Sequence, residues 1–344
     1  MAKKESILSL LLLDRAQLEV KAEGETLALY EAGVRRGTVP IKLIDRCVIQ
    51  GAQTRLDSGV LMKLAEAGVS TVLMSPRSPR RVALVLGSQH NDTAVRLAQA
   101  ARVMDDTWCC QWALALVRAK LARQRRTLQH LQTARPDARK PLFDALQTVD
   151  SILLNLKTAS GTDASAIAPS LASLLGFEGA AARAYFCGLA GVFAPSLNFS
   201  GRNRRPPRDP VNVCLSLGYT MLHLQALQMC NSSGLDPLLG FYHRPAFGRE
   251  SLASDLIEPL RPAVDLWVWE LLRSRELRED HFSLDKGACL LGKAGCQVFY
   301  AEWEKQSAPW RRWLRSQTQG LARSMRQQGE VWLVNNDTDD DETC

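Results

Sequence analysis

A histidine and two downstream carboxylates could together bind a metal ion. His243 ends the segment Gly240–His243, and Asp255 and Glu258 lie in the segment Gly248–Pro262. The two acids are three residues apart, so on a helix they would share a face. Carboxylates with one imidazole suit Mg²⁺ or Mn²⁺, which can activate a hydroxyl and stabilise charge on a phosphate during phosphodiester chemistry. A solvated acidic helix face would show the same spacing.

A third acid, Glu178, lies near the start of a stretch that is rich in alanine and glycine, Gly176–Phe186. Small side chains allow neighbouring elements to approach such a helix closely. An acid near a helix N-terminus is also favoured by the helix dipole, so Glu178 taken alone is more simply explained as an ordinary first-turn glutamate. Asp265 is a reserve ligand if the helix continues beyond Pro262.

A cationic segment rich in proline lies between these acids in the sequence. Its prolines favour a stiff, extended backbone, and its guanidinium groups match the geometry of phosphate. We predict that it contacts DNA phosphates near a catalytic site, although a solvated linker explains it equally well. The arginines concerned are Arg202, Arg204, Arg205 and Arg208.

The composition is that of an ordinary globular protein. The chain has 344 residues, 46% of them hydrophobic, which suggests about two domains with substantial cores. Its net charge of +7 is compatible with a polyanionic partner, but many basic proteins bind none. The nine cysteines include no C-x-x-C pair, so we expect reduced, mostly buried cysteines rather than zinc ligands or a disulfide framework.

The N-terminus resembles a signal peptide only superficially. The apolar run Ile7–Leu13 follows two lysines, but Asp14 and Arg15 come next and no small-residue cleavage site follows. No run approaches the roughly 18 apolar residues of a membrane helix. We therefore expect a cytoplasmic protein without a membrane partner.

The elements that must position these residues predict an α+β protein, with a small N-terminal β-rich domain followed by a larger all-α catalytic domain. Residues 1–87 alternate and break as short strands do, with one helix at about 57–67 that ends before Gly68. The predicted strands are Ile7–Leu13, Gln17–Lys21, Thr26–Glu31, Val39–Leu43, Cys47–Ile49, Val69–Met74 and Val82–Leu86.

The period becomes helical after a polar linker at 88–92, and the helical catalytic domain is predicted over 93–330. We expect Pro259 and Pro262 to interrupt the helix just beyond the two acids. Residues 331–344 are acidic and are predicted to be disordered. The predicted helices cover about 93–130, 141–156, 166–175, 177–194, 211–230, 251–278 and 307–328. The tryptophans within and before the last helix are expected in the core rather than stacked on bases.

Four segments, in the same order, resemble signatures of the CRISPR spacer-acquisition integrases, the Cas-one family. The resemblance extends over about residues 7–275 and includes the N-terminal strand pattern. The four segments are Phe177–Phe186, Arg202–Asn212, Gly234–His243 and Gly248–Pro262.

The resemblance implies a specific site and assembly. Glu178, His243 and Glu258 would bind Mg²⁺ or Mn²⁺, and Asp255 would support the catalytic site. In this family the N-terminal domain forms a homodimer, and one or two dimers join a small ferredoxin-like adaptation subunit. The complex carries prespacer DNA, whose 3′-hydroxyl attacks a phosphodiester at the CRISPR repeat during antiviral adaptation.

Two alternatives remain open from the sequence. A stand-alone, structure-selective DNA nuclease would carry the same motifs and would cleave strands without joining them. A non-catalytic DNA-binding scaffold would bind DNA without divalent ions and would show no turnover with any ion.

Overall fold

A computed structural model describes residues 10–15, 17–51, 53–74, 81–85, 87, 90, 92–158, 168–203 and 206–337. The chain divides into two compact units, Met1–His90 and Asn91–Cys344. This division falls inside the predicted linker at 88–92. The first unit is rich in strands and the second is mostly helical, so the predicted α+β class is confirmed.

The first unit contains two four-stranded sheets and one helix. One sheet has the order β1-β5-β7-β8, in which β1, β5 and β7 are parallel and β8 is antiparallel to β7. The other has the order β4-β3-β2-β6. The elements are β1 Leu10–Leu13, β2 Leu18–Glu23, β3 Thr26–Glu31, β4 Val34–Pro40, β5 Arg46–Ile49, β6 Arg55–Leu56, α1 Ser58–Glu66, β7 Ser70–Met74 and β8 Arg81–Val85.

Alternating apolar side chains explain the core of the first unit. In β2, Leu18 and Val20 are buried while Glu19 between them is partly exposed, as expected of a strand with one face on a core. Asp57 accepts the Val60 N–H at 2.9 Å and so begins α1. Val60 and Leu64 of α1 then bury themselves against the strands.

One strand of this unit was placed wrongly from the sequence. Residues Val39–Leu43 were predicted as a strand, whereas β4 begins at Val34 and a 3₁₀ turn covers Ile41–Leu43. The start of β4 could not be recognised from the sequence, because its arginines and glycine give it no apolar face and most of the strand is exposed. The first residues of the predicted strand Ile7–Leu13 lie outside the described residues.

The second unit consists of helices and one small hairpin. Its central helix, α6, has buried residues on every face, and α7, α8 and α9 contact it. The elements are α2 Thr93–Met104, α3 Asp106–Ala134, α4 Arg139–Thr158, α5 Leu171–Ala190, α6 Pro210–Ser232, α7 Ser251–Ile257, α8 Arg261–Arg273, β9 Phe282–Asp285, β10 Ala288–Leu291 and α9 Lys293–Asp337.

Several helix boundaries differ from the prediction for local reasons. The helix predicted over 93–130 is two helices, because Asp105 has an extended backbone and caps α3 by accepting the Trp108 N–H at 2.9 Å. The two helices predicted over 166–175 and 177–194 are the single helix α5, in which an exposed Gly176 is tolerated.

Two further corrections concern the end of the chain. The domain is not entirely α, because the β9–β10 hairpin interrupts it; each of its strands is only four residues long. The segment predicted to be disordered begins too early, since α9 continues to Asp337. Residues 338–344 lie outside the described residues. No helix in the described part of the chain is both long and apolar enough to span a membrane.

Candidate active site

Two of the predicted acids, Glu178 and Glu258, meet at one lysine. The Lys120 ammonium on α3 donates to Glu178 Oε1 and lies 2.5 Å from Glu258 Oε2. The lysine side chain is 10% exposed and the two carboxylates are 15% and 5% exposed. Burial opposes the charged ammonium, but Glu258 and Glu178 outweigh it and raise the pKa of Lys120. Glu178 and Glu258, which lie on separate elements, therefore converge on the ammonium group of Lys120, which lies on a third.

Prolines set the place of Glu258, as predicted. Helix α7 ends at Ile257, a 3₁₀ turn covers Glu258–Leu260 with Pro259 near its start, and α8 begins at Arg261. The Arg261 guanidinium forms an ion pair with Glu258 Oε1 at 3.0 Å. Burial disfavours the charged carboxylate, yet Arg261 and Lys120 prevail and lower the pKa of Glu258 to about 2.

Asp255 is fully buried and organises the loop that carries His243. Its Oδ2 accepts the N–H groups of Phe241 and Tyr242 at 2.8 and 3.0 Å. Its Oδ1 accepts the His243 N–H at 2.9 Å and lies 2.7 Å from His243 Nδ1. A carboxylate only accepts, so Nδ1 carries the proton, and Nε2 is the ring nitrogen whose lone pair, in the neutral imidazole, can bind a metal. Desolvation raises the pKa of Asp255 in spite of these bonds.

The glycine before this loop permits the arrangement. A Cβ on Gly240 would lie 2.6 Å from the Ser251 backbone and 2.8 Å from the His243 carbonyl oxygen. Backbone atoms cannot yield to such a contact, so any larger residue would push the loop away from the first turn of α7. Gly240 therefore keeps His243 within reach of Asp255.

Tyr242 is a member of the site that the sequence reasoning missed. Its hydroxyl donates to Glu178 Oε2, and its side chain is buried. Burial and the nearby Glu178 raise the pKa of Tyr242, which keeps the hydroxyl protonated as a donor. Its position immediately before His243 was the available signal. Lys120 had none, because it is one of several cationic residues in a long helix without a recognisable motif.

The predicted residues form two neighbouring pairs. Lys120 links Glu178 to Glu258, and Asp255 is paired with His243. His243 also helps to lower the pKa of Glu258. Within the described ranges, however, no three His, Cys, Asp or Glu side chains are arranged so that they could hold a metal ion. The ammonium stands where the two glutamates meet. Metal binding by Glu178, His243 and Glu258 thus stays a prediction.

Asp265, the reserve ligand, has a different environment. It accepts hydrogen bonds from the hydroxyl groups of Tyr185, at 3.0 Å, and of Tyr219, and it is 2% exposed. Burial raises the pKa of Asp265 to about 6, even though both tyrosines stabilise the carboxylate. Two phenols already hold this carboxylate.

The arginines of the cationic segment differ from one another. Arg202 donates to Asn212 Oδ1 at 2.7 Å and to Ser216 Oγ at 3.0 Å, and its guanidinium lies over the Tyr219 ring. Arg208 is exposed. Arg204 and Arg205 lie outside the described residues. Phosphate contact by these arginines stays a prediction, and Arg202 already serves the fold.

A cavity of about 180 Å³ opens beside Glu178. Its wall includes the cationic side chains of Lys120, Arg202 and Arg261 and the carboxylates of Glu178 and Asp265. The cations outnumber the carboxylates, so the cavity attracts anions, and the predicted ligand Glu178 lies in its wall.

Three C-terminal tryptophans were predicted to lie in the core, and two of them do. Trp303 and Trp310 are buried, and both contact Trp267 at ring-centroid distances of 5.5 and 6.1 Å. Trp313 is partly exposed, and the Arg123 guanidinium lies 5.0 Å from its ring centroid. These contacts explain the residues without invoking bound bases.

Buried, interconnected acids and one oriented histidine form a candidate active site on the helical unit. The family model described as "CRISPR associated protein Cas1" matches residues 11–305. The CRISPR-associated endonuclease Cas1 1 of Thermodesulfovibrio yellowstonii is 33% identical over 326 residues, which cover 94% of this chain and 99% of that protein. The CRISPR-associated endonuclease Cas1 2 of Rhodospirillum rubrum is 34% identical over 310 residues, covering 85% and 84%. The chain belongs to the Cas1 family of CRISPR-associated endonucleases.

Solved structures show the same fold at lower identity. A Cas1 protein from Thermotoga maritima has a TM-score of 0.78 at 20% identity, covering 92% of this chain and 97% of that chain. A casposase bound to its integration product has a TM-score of 0.78 at 22% identity, covering 93% and 91%. A chain of a Cas6-RT-Cas1–Cas2 complex has a TM-score of 0.75 at 22% identity, covering 95% of this chain and 36% of that chain.

Proposed function

We propose that this protein is a metal-dependent DNA integrase that also cleaves DNA. It would join the 3′-hydroxyl of a prespacer to a phosphodiester of a CRISPR repeat during antiviral adaptation. The observation that carries the proposal is the convergence of Glu178 and Glu258, from separate elements, on one cationic position beside an oriented His243. Membership of the Cas1 family supports the same activity.

The donor set suits a divalent cation of the Mg²⁺ or Mn²⁺ class. Glu178 and Glu258 supply carboxylate oxygens, His243 supplies Nε2, and the bridging ammonium indicates that their field already favours a cation at this place. When bound, such an ion activates a hydroxyl and stabilises charge on a phosphate. Two hydrogen bonds and one ion pair position these groups in advance: Tyr242 donates to Glu178, His243 is hydrogen-bonded to Asp255, and Arg261 forms an ion pair with Glu258.

We further propose the partners that the family implies. Prespacer DNA and the CRISPR repeat would be the substrates, and a small ferredoxin-like adaptation subunit would join a homodimer of this chain. A relative with the same fold is part of a complex named for both Cas1 and Cas2, and another is a casposase bound to its integration product. The cationic wall of the cavity beside Glu178 suits the phosphates of such a substrate.

Replacing the proposed ligands tests the function. Glu178→Gln and His243→Ala proteins, combined with the partner subunit and a labelled prespacer, should integrate about 100-fold less DNA than wild type, because a metal's contribution of several kcal/mol is lost. The exposed residues Glu276 and His130 offer matched controls, Glu276→Gln and His130→Ala, with activity close to wild type. Full integration by either ligand variant would refute the assignment.

The same assay separates the alternatives. A stand-alone nuclease would produce cleaved strands and no joined product. A non-catalytic scaffold would bind DNA in EDTA and yield neither product with Mg²⁺ or Mn²⁺. Both cleaved and joined products that depend on Glu178 and His243 are expected for the integrase.

A further inference from the structure

Lys120 fully occupies the meeting point of two glutamates proposed to bind the metal. Its ammonium contacts Glu178 Oε1 and Glu258 Oε2, while Tyr242 and Arg261 take the remaining oxygens of the same carboxylates. All four carboxylate oxygens therefore already face a donor or a cation from the protein itself.

The charges of this cluster balance without any added ion. Lys120 and Arg261 carry two positive charges, and Glu178 and Glu258 carry two negative charges. All four side chains are less than a fifth exposed. A dication added to the intact cluster would leave a net charge of +2 with little water to screen it, which is electrostatically costly. Removing the ammonium from the glutamates relieves most of that cost.

We propose that Lys120 is a tethered counter-ion that competes with the metal for Glu178 and Glu258, so that the site loads fully only when DNA is present. This inference rests on the proposed metal-dependent function. The ammonium has somewhere to go, since the cavity of about 180 Å³ begins at Lys120 itself. A flexible lysine chain can move its head group over several ångströms without moving the helix.

The displaced ammonium needs a new anion. In the cavity it joins Arg202 and Arg261, and the carboxylates of Glu178 and Asp265 offset only part of the three positive charges, so a phosphate that enters is attracted. A DNA phosphate therefore stabilises the displaced state, and the metal stabilises it as well. Two ligands that favour the same state bind cooperatively, and the coupling is reciprocal. Lys120 would thus limit metal loading in the absence of substrate.

The opposite role for Lys120 makes a different prediction. If the ammonium only holds the two carboxylates in place for the metal, its removal should weaken metal binding. If it competes, its removal should strengthen metal binding. The direction of the change in affinity therefore decides between the two roles.

The experiment measures Mn²⁺ binding by the full chain through the electron paramagnetic resonance signal of the free ion. Wild type, Lys120→Met and Lys120→Gln are titrated with and without a phosphorothioate oligonucleotide, and the Mn²⁺ bound by DNA alone is subtracted. Lys140, which is exposed on α4, provides Lys140→Met as a control with the same charge change. Melting curves in EDTA and in Mn²⁺ verify that each variant folds.

Without DNA, both Lys120 variants should bind Mn²⁺ about 10-fold more tightly than wild type and Lys140→Met. DNA should tighten binding several-fold more in wild type than in the Lys120 variants. In EDTA the variants should melt earlier, because Glu178 and Glu258 then repel each other, and Mn²⁺ should restore their stability.

Three results would overturn the ideas separately. Absence of Mn²⁺ binding by wild type, with or without DNA, would remove the proposed metal site. Binding by wild type together with equal or weaker binding by folded Lys120 variants would refute competition and leave the metal site standing. An equal effect of DNA on wild type and variants would refute the coupling to DNA.

Discussion

At the scale of single residues, Asp265 carries a buried charge outside the metal-ligand set. Burial raises the pKa of its carboxyl to about 6 from 3.8, and Tyr185 and Tyr219 only partly compensate. The folded protein therefore holds a proton on Asp265 between pH 4 and 6 that the unfolded chain has already released. Stability from this group falls as pH rises through that window and stays low above it.

Asp265→Asn should remove this pH dependence. The amide is neutral at every pH, so the variant avoids a cost on the order of 3 kcal/mol that the wild type bears above pH 6. Urea denaturation at pH 4, 5, 6 and 7 measures the difference in unfolding free energy between wild type and variant. We expect the variant to gain steadily on the wild type from pH 4 to pH 6.

Glu258 does not confound that comparison. Its pKa is lowered to about 2, so its contribution to stability is complete above pH 4.5 and declines only as pH falls below that value. It is also present in both proteins. A difference that stays constant across the four pH values would mean that Asp265 ionises normally in the folded protein.

Residues within one local segment were the ones that the sequence could relate to each other. Asp255 and His243 are twelve positions apart on either side of one turn, and the two do meet. Lys120 contacts Glu178 and Glu258 across separations of 58 and 138 residues. Such a contact depends on helix packing, which no local pattern encodes, so the lysine could not be found in advance.

At the scale of elements, helix α5 shows how small residues permit close packing. A Cβ on Gly188 would lie 2.8 Å from the Ala145 Cβ of α4 and 3.3 Å from Leu128 Cδ2 of α3. A Cβ on Gly176 of the same helix would meet nothing within 4 Å. The close approach therefore occurs at Gly188, beyond the stretch Gly176–Phe186 for which it was expected, and not at Gly176.

Gly188→Ala should destabilise the protein by about 1–3 kcal/mol, since overpacking forces α5 away from α3 and α4. Gly176→Ala is the matched control, and it should instead stabilise by up to about 1 kcal/mol, because alanine favours a helix. Chemical denaturation of the two variants measures both effects. Equal stability of the two would contradict the packing derived for α5.

The element boundaries that the sequence missed share a cause. Asp105 ends one helix and caps the next within a continuous helical period, so periodicity alone could not divide α2 from α3. Each strand of the β9–β10 hairpin is only four residues long, which is too short for alternation to predict it. The strong signals, by contrast, predicted α1, α6 and the break at Pro259 correctly.

At the scale of the whole molecule, the division into a strand-rich and a helical unit was readable from the change in period near residue 90. The net charge of +7 was less informative, because position decides what a charge does. The Arg202 guanidinium donates hydrogen bonds within the protein, to Asn212 and Ser216. Arg208 is exposed and is available to a polyanion.

Salt should therefore distinguish the two arginines in the proposed DNA complex. Each phosphate contact releases counterions. Removing one such contact therefore reduces the magnitude of the negative slope of log affinity against log salt concentration by about 1. Arg208→Ala should show this loss for every DNA sequence while melting like wild type. Arg202→Ala should melt earlier, because Asn212 and Ser216 lose their donor and the Tyr219 ring loses its cation.

Fluorescence anisotropy of a labelled duplex at 50, 100 and 200 mM salt measures the slopes. Arg139→Ala provides a control for charge, since Arg139 is exposed at the start of α4. If Arg139→Ala lowers the slope as much as Arg208→Ala does, the effect is one of overall charge. A slope for Arg208→Ala that equals that of wild type would place the DNA backbone away from this arginine. Equal melting of Arg202→Ala and wild type would mean that the internal hydrogen bonds of Arg202 add little to stability. Separate roles for the two arginines therefore require that Arg208→Ala changes the salt slope without changing the melting temperature, and that Arg202→Ala lowers the melting temperature.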